Sequence, residues 1–268
     1  MKILAIARNT FGSFLRNKLM ILCFILFACV VLLMMTPLLG VKMMTTAENA
    51  QEMQQVVMGD IAAVMGLVSG VGSLLAAWAA ADAVSNEMKS GTILAVMARP
   101  VRRWEYLLGK YLGVQLLMLV YVLAMFLLSY LLAWLAGEKI QSTPWVLIAY
   151  PLVRWSIYSA IAMLLVTVFH STVTFGITMV VGVLAFTLAP SDSSAAHRLP
   201  EWARAAIYAV LPSTGLLSED RFFTITQASL KQLNWAAHLT TLAYGLDYAL
   251  VFLLLAMWSF HYRGLSRD

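Results

Sequence analysis

Residues 82–110 read DAVSNEMKSGTILAVMARPVRRWEYLLGK, and this stretch decides how the rest of the chain is arranged. It is the most charged continuous segment in a very apolar protein, and a long hydrophobic run flanks it on each side. Runs of that length belong in a bilayer, so the segment between them has to emerge on one face of a membrane. Its internal order is legible. Thr92 is placed to cap a short helix through its hydroxyl, which satisfies an orphan backbone N–H. Ile93, Leu94, Val96 and Met97 follow at near-helical spacing, up to Arg99. Pro100 ends that helix, because it lacks an N–H and disfavours α geometry in the residue before it. Arg102 and Arg103 then form a basic corner, and Trp104 and Tyr106 stand where interfacial aromatic residues belong.

Outward from this loop, the composition points to a membrane protein. Of 268 residues, 62% are hydrophobic and 12% charged; a soluble domain carries about twice that share of charge. A single all-α membrane domain over residues 1–268 follows, rather than a globule with one anchor. The hydrophobic runs predict six transmembrane helices, near 19–39, 60–81, 111–136, 145–169, 172–189 and 238–260. About 20 residues at ~1.5 Å each cross a core of ~30 Å. Before the first span, Ile3, Leu4, Ile6, Ala7, Phe11, Phe14 and Leu15 face away from Arg8 and Arg16, the pattern of a helix lying in the interface. Residues 40–59 read as a polar connection. Residues 190–237 form a second polar region. There, 201–211 and 222–233 predict short helices on or dipping into the outer side, with a break at Pro212-Ser213-Thr214-Gly215. In the second span, Gly66, Gly70 and Ser73 lie in a set of small residues that lets another helix approach closely. No cleavable leader pattern is present, since Lys2, Arg8, Arg16 and Lys18 spread charge through the first residues.

Six spans put both termini on one side, and the cations choose which. With the N-terminus inside, the cytoplasmic set holds eleven Lys and Arg, the outer set six, and Arg154 lies within a span. The net charge of +5 is therefore partitioned by membrane side and does not point to nucleic acid.

The spelling of the loop carries a resemblance. Glu87-x-x-x-Gly91-Thr92-Ile93, followed by Ala98-Arg99-Pro100-Val101-x-Arg103-x-Glu105-Tyr106-Leu107-Leu108-Gly109-Lys110, is similar to the first cytoplasmic loop of ABC-2 type transporter permeases. The match covers about 25 residues closely, and the whole chain agrees in length, span number and polarity. The chain also resembles, in size and span number, the permeases that serve nitrous-oxide reductase maturation. The resemblance implies a permease subunit in a bacterial-type inner membrane that works as a pair, with an identical copy or a paralogue, and exports its cargo. It implies that the loop holds a coupling helix docked on a separate ATPase subunit, which carries the ATP and Mg²⁺. Glu87, Gly91, Thr92, Arg99, Pro100, Arg102, Arg103 and Glu105 are then the coupling residues, with Arg99, Arg102, Arg103 and Glu105 able to bridge to the ATPase. Spans two and five would lie near the dimer centre, with Gly66, Gly70 and Ser73 as the dimer-packing residues of span two, and re-entrant or external helices would join spans five and six.

The chemistry read from the residues agrees with a non-enzymatic subunit. A P-loop needs Gly-x-x-x-x-Gly-Lys followed by Ser or Thr; here Gly109-Lys110 precedes Tyr111, and Trp104 stands where the first glycine belongs. His170, His197, His238 and His261 are scattered, and no hydrolase or metal-ligand spacing occurs. Cys23 and Cys29 read as packing residues in an apolar run. Sixteen methionines, with Met34, Met35, Met43, Met44, Met53, Met58 and Met65 near the first outer connection, read as adaptable packing rather than as a copper(I) site. Two charges fall inside spans at similar depth, Arg154 and Asp247, and pairing between them is expected because a lone charge there costs a few kcal/mol. The rival reading is an ion-driven secondary transporter or channel, for which Asp247 is the acidic group. An intramembrane enzyme would need paired catalytic groups in the spans, which the sequence lacks.

Overall fold

The computed structural model describes residues 2–44, 50–89, 102–135, 144–187, 200–202, 205, 211–217 and 235–262. The described residues form seven α-helices and one 3₁₀ turn. The helices are α1 (Lys2–Arg16), α2 (Lys18–Met44), α3 (Ala50–Lys89), α4 (Arg103–Leu135), α5 (Pro144–Val166), α6 (Ser171–Thr187) and α7 (Trp235–Tyr262), and the 3₁₀ turn is Thr214–Leu217. The described residues of the six hydrophobic runs lie on α2 to α7, except 167–169, which form a turn after α5. Among the described residues, four helical segments are long and apolar enough to cross a membrane by themselves: Ala63–Met88, Arg103–Leu131, Ile148–Val166 and Ala236–Tyr262. A fifth crossing arises if α1 and α2, bent by 66°, count as one, and α6 is a shorter apolar helix.

Helix α5 sits at the centre, packed on α7, α3 and α4. Its fully buried Trp155 reaches α3, where Nε1 donates to the Ser69 carbonyl at 3.0 Å. Tyr121 of α4 donates to the neighbouring Val68 carbonyl at 3.1 Å, and its ring meets Trp155 at 5.5 Å. The indole occupies the space beside Gly72, where a Cβ would lie 2.0 Å from the ring. On its other side, α5 presents Tyr150, Val153, Ile157 and Ile161 to α7, and Gly245 of α7 makes room for Val153.

Several boundaries differ from the expectation: α2 ends at Met44, α3 begins at Ala50 and ends at Lys89, and α4 begins at Arg103. Helix α3 runs on to Lys89 instead of stopping near residue 81. Ala83, Val84 and Ser85 are buried, so the extension belongs to the core and not to a loop. Helix α2 likewise continues past Pro37 to Met44, within what reads as a polar connection. Proline is tolerated in membrane helices because neighbouring groups satisfy the freed carbonyl.

Helix α1 is amphipathic as expected, but it lies against protein. Ala7, Thr10 and Phe14 are its buried residues, while Leu4 is exposed. It packs on the start of α4 over Gly109 and Gly113, whose four-residue spacing removes side chains from one face. A Cβ at Gly113 would lie 2.7 Å from Thr10 Cβ and 2.8 Å from the Ala7 carbonyl oxygen. Gly113→Val is therefore expected to lever α1 off α4 and destabilise the protein by about 1–3 kcal/mol. Limited proteolysis within residues 2–16 reads the change, and an unaltered cleavage rate would contradict this packing.

Candidate functional site

The ends of α3, α5 and α7 and the starts of α4 and α6 meet at one end of the bundle, and most of the sequence-predicted coupling residues that the structure describes are there. Glu87 lies in the last turns of α3. Its Oε2 accepts from the Tyr106 hydroxyl at 2.6 Å, and its Oε1 pairs with the Lys110 ammonium of α4. Lys110 is only 4% exposed and also sits over the Tyr106 ring, 5.7 Å from its centroid. Tyr106 stacks on Phe260 of α7 with centroids 5.9 Å apart. Arg103 donates to the carbonyls of His261 at 2.8 Å and Phe260 at 3.4 Å. It thus supplies a positive charge and donors to the terminal carbonyls of α7. Glu105 turns back to accept from the Arg102 backbone N–H at 2.8 Å, a capping-box contact that starts α4. Thr167, past the end of α5, shares a hydrogen bond of 2.7 Å with Ser259 of α7. His170 begins α6 by accepting at its carbonyl from the Thr174 N–H, after a turn over residues 167–170.

Glu87, Arg103 and Glu105 thus each have a partner within the chain. For Glu87 the cause is its neighbour, because a buried ammonium gains from pairing with a carboxylate. Arg102 and Trp104 are exposed at the same end. Gly91, Thr92, Arg99 and Pro100 lie outside the described residues.

The second feature is a groove of about 660 Å³ between α3, α5 and α6. Gly66, Gly70 and Ser73 line it from α3, Arg154 and Tyr158 from α5, and Met179, Gly182 and Phe186 from α6. The predicted small-residue stripe is divided by this geometry. A Cβ at Gly66 or Gly70 meets nothing within 4 Å, whereas Gly72 faces Trp155 inside the core. Gly182 lets α6 come close to α5, since its Cβ would lie 3.1 Å from the Tyr158 ring.

The 3₁₀ turn borders this region. Thr214 is fully buried and its Oγ1 accepts from Tyr158 at 3.1 Å. The Ser213 N–H donates to the Tyr244 hydroxyl of α7 at 3.0 Å, and Leu217 lodges beside Gly245. Tyr158 lies fourteen residues into α5, roughly 21 Å at the helical rise. The Pro212–Gly215 break is thus where the chain turns into the bundle. The helices expected at 201–211 and 222–233 fall largely or wholly outside the described residues. At the start of α7, His238 Nδ1 lies 2.6 Å from the Tyr150 hydroxyl, and both residues are buried.

Arg154 and Asp247 are not brought together. Arg154 is 5% exposed and turns to the groove, while Asp247 is exposed on α7 beside Tyr248. Their depths match, but their azimuths do not, because α5 turns Val153 and Ile157 to α7 and Arg154 away from it. Of the cysteines, Cys23 packs against the core and Cys29 is exposed, and both are free thiols. The side chains of Met34, Met35, Met43, Met44, Met53 and Met58 lie outside the described residues, and Met65 is buried in α3.

Sequence reasoning overlooked Lys110, Tyr106 and Trp155 as organising residues. For Lys110 a signal existed, since a lysine at the start of an apolar run needs a counter-charge. No curated protein is similar enough to the chain to be matched. A family model described as ABC-2 family transporter protein matches residues 4–265. Taken with the bundle of long apolar helices, that match spans nearly the whole chain, which therefore belongs to the ABC-2 transporter family.

Proposed function

We propose that this chain is the membrane-spanning permease subunit of an ATP-driven exporter, with six spans and both termini in the cytoplasm of a bacterial-type cell. The family match over residues 4–265 carries this reading. A separate ATPase subunit binds ATP and Mg²⁺ and docks on the 82–110 loop. A second permease chain, identical or a paralogue, completes the transport path, and lipid surrounds the apolar faces. Glu87, Lys110 and Arg103 act behind the docking surface. They join the flanks of the loop to α7, so that a push on the loop is shared by α3, α4 and α7. The likeness to the nitrous-oxide reductase maturation permeases rests on size and span number and assigns no cargo.

The test is co-purification of the tagged chain in mild detergent, with mass spectrometry of what accompanies it. The informative variant combines Arg99→Glu with Arg102→Glu; Arg102 is exposed and its side chain leaves the Glu87 cluster intact. A stoichiometric P-loop ATPase is expected with the unaltered chain, reduced at least about tenfold by two charge reversals at the interface. A folded chain that recruits no ATPase in any detergent would instead favour ion-driven transport, and Asp247 would become the first residue to replace.

A further inference from the structure

Of the four segments long enough to cross a membrane, that of α7 is the least buried. Gly245, Ala249 and Leu253 form its buried side. Half a turn round the helix, Thr240, Ala243, Asp247, Leu250 and Leu254 are exposed. These five recur at intervals of three and four residues, the spacing of a seam on which another helix packs. The small residues Thr240 and Ala243 let a neighbouring backbone come close, and the two leucines offer apolar contact. Asp247 stands at the centre of the seam. It lies eleven residues past Ala236, where the segment starts, roughly 16 Å along the axis and so near the middle of a ~30 Å core. Among the described residues, its carboxylate makes no ion pair and no hydrogen bond. An ionisable side chain at that depth almost always faces protein or water, because acyl chains offer it no donor.

We propose that this seam docks a transmembrane helix of a different chain, apolar except for one Lys or Arg at mid-depth that pairs with Asp247. Charge decides between the occupants. A second copy presenting the same face would set Asp247 against Asp247, since a two-fold interface joins equal patches. No residue of α7 between Ala236 and Phe260 is Lys or Arg. Arg154, the cation of this chain at matching depth, is buried and so is not presented to the α7 of another copy. Lipid satisfies the leucines and leaves the carboxylate without a partner. A helix with one central cation answers both parts of the seam, and the single charged contact fixes its register and selects it over wholly apolar helices. The proposal needs neither an ATPase nor transport.

The experiment places the full chain, with a donor dye on a C-terminal tag, in phosphatidylcholine vesicles with an acceptor-labelled synthetic helix. The helix is built of leucine and alanine with one central lysine, which serves either orientation, and its control has leucine there instead. Energy transfer is expected to show the lysine helix associating at least about tenfold more strongly than the control. Asp247→Leu is expected to remove that preference, and Asp247→Glu to keep most of it. Ala243→Trp adds bulk to the seam and not to the core, and is expected to block the lysine helix while the protein elutes normally. Equal association of the two helices, a preference that survives Asp247→Leu, or indifference to Ala243→Trp overturns the site. In native membranes, p-benzoylphenylalanine in place of Leu250 identifies the occupant. The expected product joins this chain to another whose crosslinked span carries Lys or Arg at mid-depth, and Asp247→Leu abolishes it. Crosslinks to lipid alone, to a second copy, within the same chain, or to a span without such a cation overturn the proposal. Co-purification of an ATPase is read separately, so this docking site and the transporter reading can each fail alone.

Discussion

Gly72→Ala is expected to yield little folded, detergent-extractable protein. The added Cβ would stand 2.0 to 2.8 Å from three Trp155 ring atoms. Trp155 is fully buried, held at Nε1 by the Ser69 carbonyl and on its face by Tyr121, so it has no space to retreat into. Overpacking a core costs about 1–3 kcal/mol, and expelling the indole also strands its N–H, which adds roughly 1–3 kcal/mol. Loss on that scale removes a large part of a typical net stability. Gly66→Ala and Gly70→Ala, only six and two residues away, meet open space and are expected to behave as the unaltered chain. Size-exclusion profiles after a heating series separate these cases. Combining Gly72→Ala with Trp155→Phe is expected to recover much of the loss. A Gly72→Ala protein that melts normally would mean that α3 and α5 do not pack as described.

The second large effect is at Glu87 and Lys110. Breaking a buried ion pair from one side costs about 3–5 kcal/mol, because the remaining charge loses its compensation. The two sides are unequal. The Lys110 side chain is 5% exposed and that of Glu87 23%. Glu87→Leu leaves the more deeply buried charge behind, whereas Lys110→Met leaves a carboxylate that keeps the Tyr106 hydroxyl and some water. Glu87→Leu is therefore the more damaging, and joining it to Lys110→Met is expected to recover most of the loss, since a pair removed whole is nearly neutral. Thermal unfolding of the three variants forms a double-mutant cycle. Additive penalties in that cycle would show that the two residues do not stabilise one another.

Much of this architecture was legible in the sequence, and the residues that were not share a cause. Hydropathy located every long helix, since the bilayer demands a run of apolar residues with satisfied backbone groups. The same signal misplaced the end of α3, because Asp82, Asn86 and Glu87 look like loop residues until Glu87 finds Lys110, twenty-three positions later. Asn86 supports the extension locally by donating to Asp82 at 2.9 Å. For Arg154 and Asp247, depth was readable and azimuth was not, since the direction a helix faces is set by its neighbours. The small residues of α3 had the same ambiguity. Only the position of Trp155 separates Gly72, which the core requires to be small, from Gly66 and Gly70, which border open space. The periodicity of α1 was correct, but its partner, the bare face at Gly109 and Gly113, became clear only in three dimensions.

The buried 3₁₀ turn also sets an order of events during biogenesis. Its hydrogen bonds run back to Tyr158 and forward to Tyr244, and Leu217 needs the notch at Gly245. A ribosome that has just delivered Thr214–Leu217 to the membrane has not yet made α7. The turn must therefore wait, unsheltered, until the final helix is inserted and can close over it. Chaperones or insertases acting on this chain at that moment would meet the six described helices that precede α7, with the wedge still undocked on its α7 side.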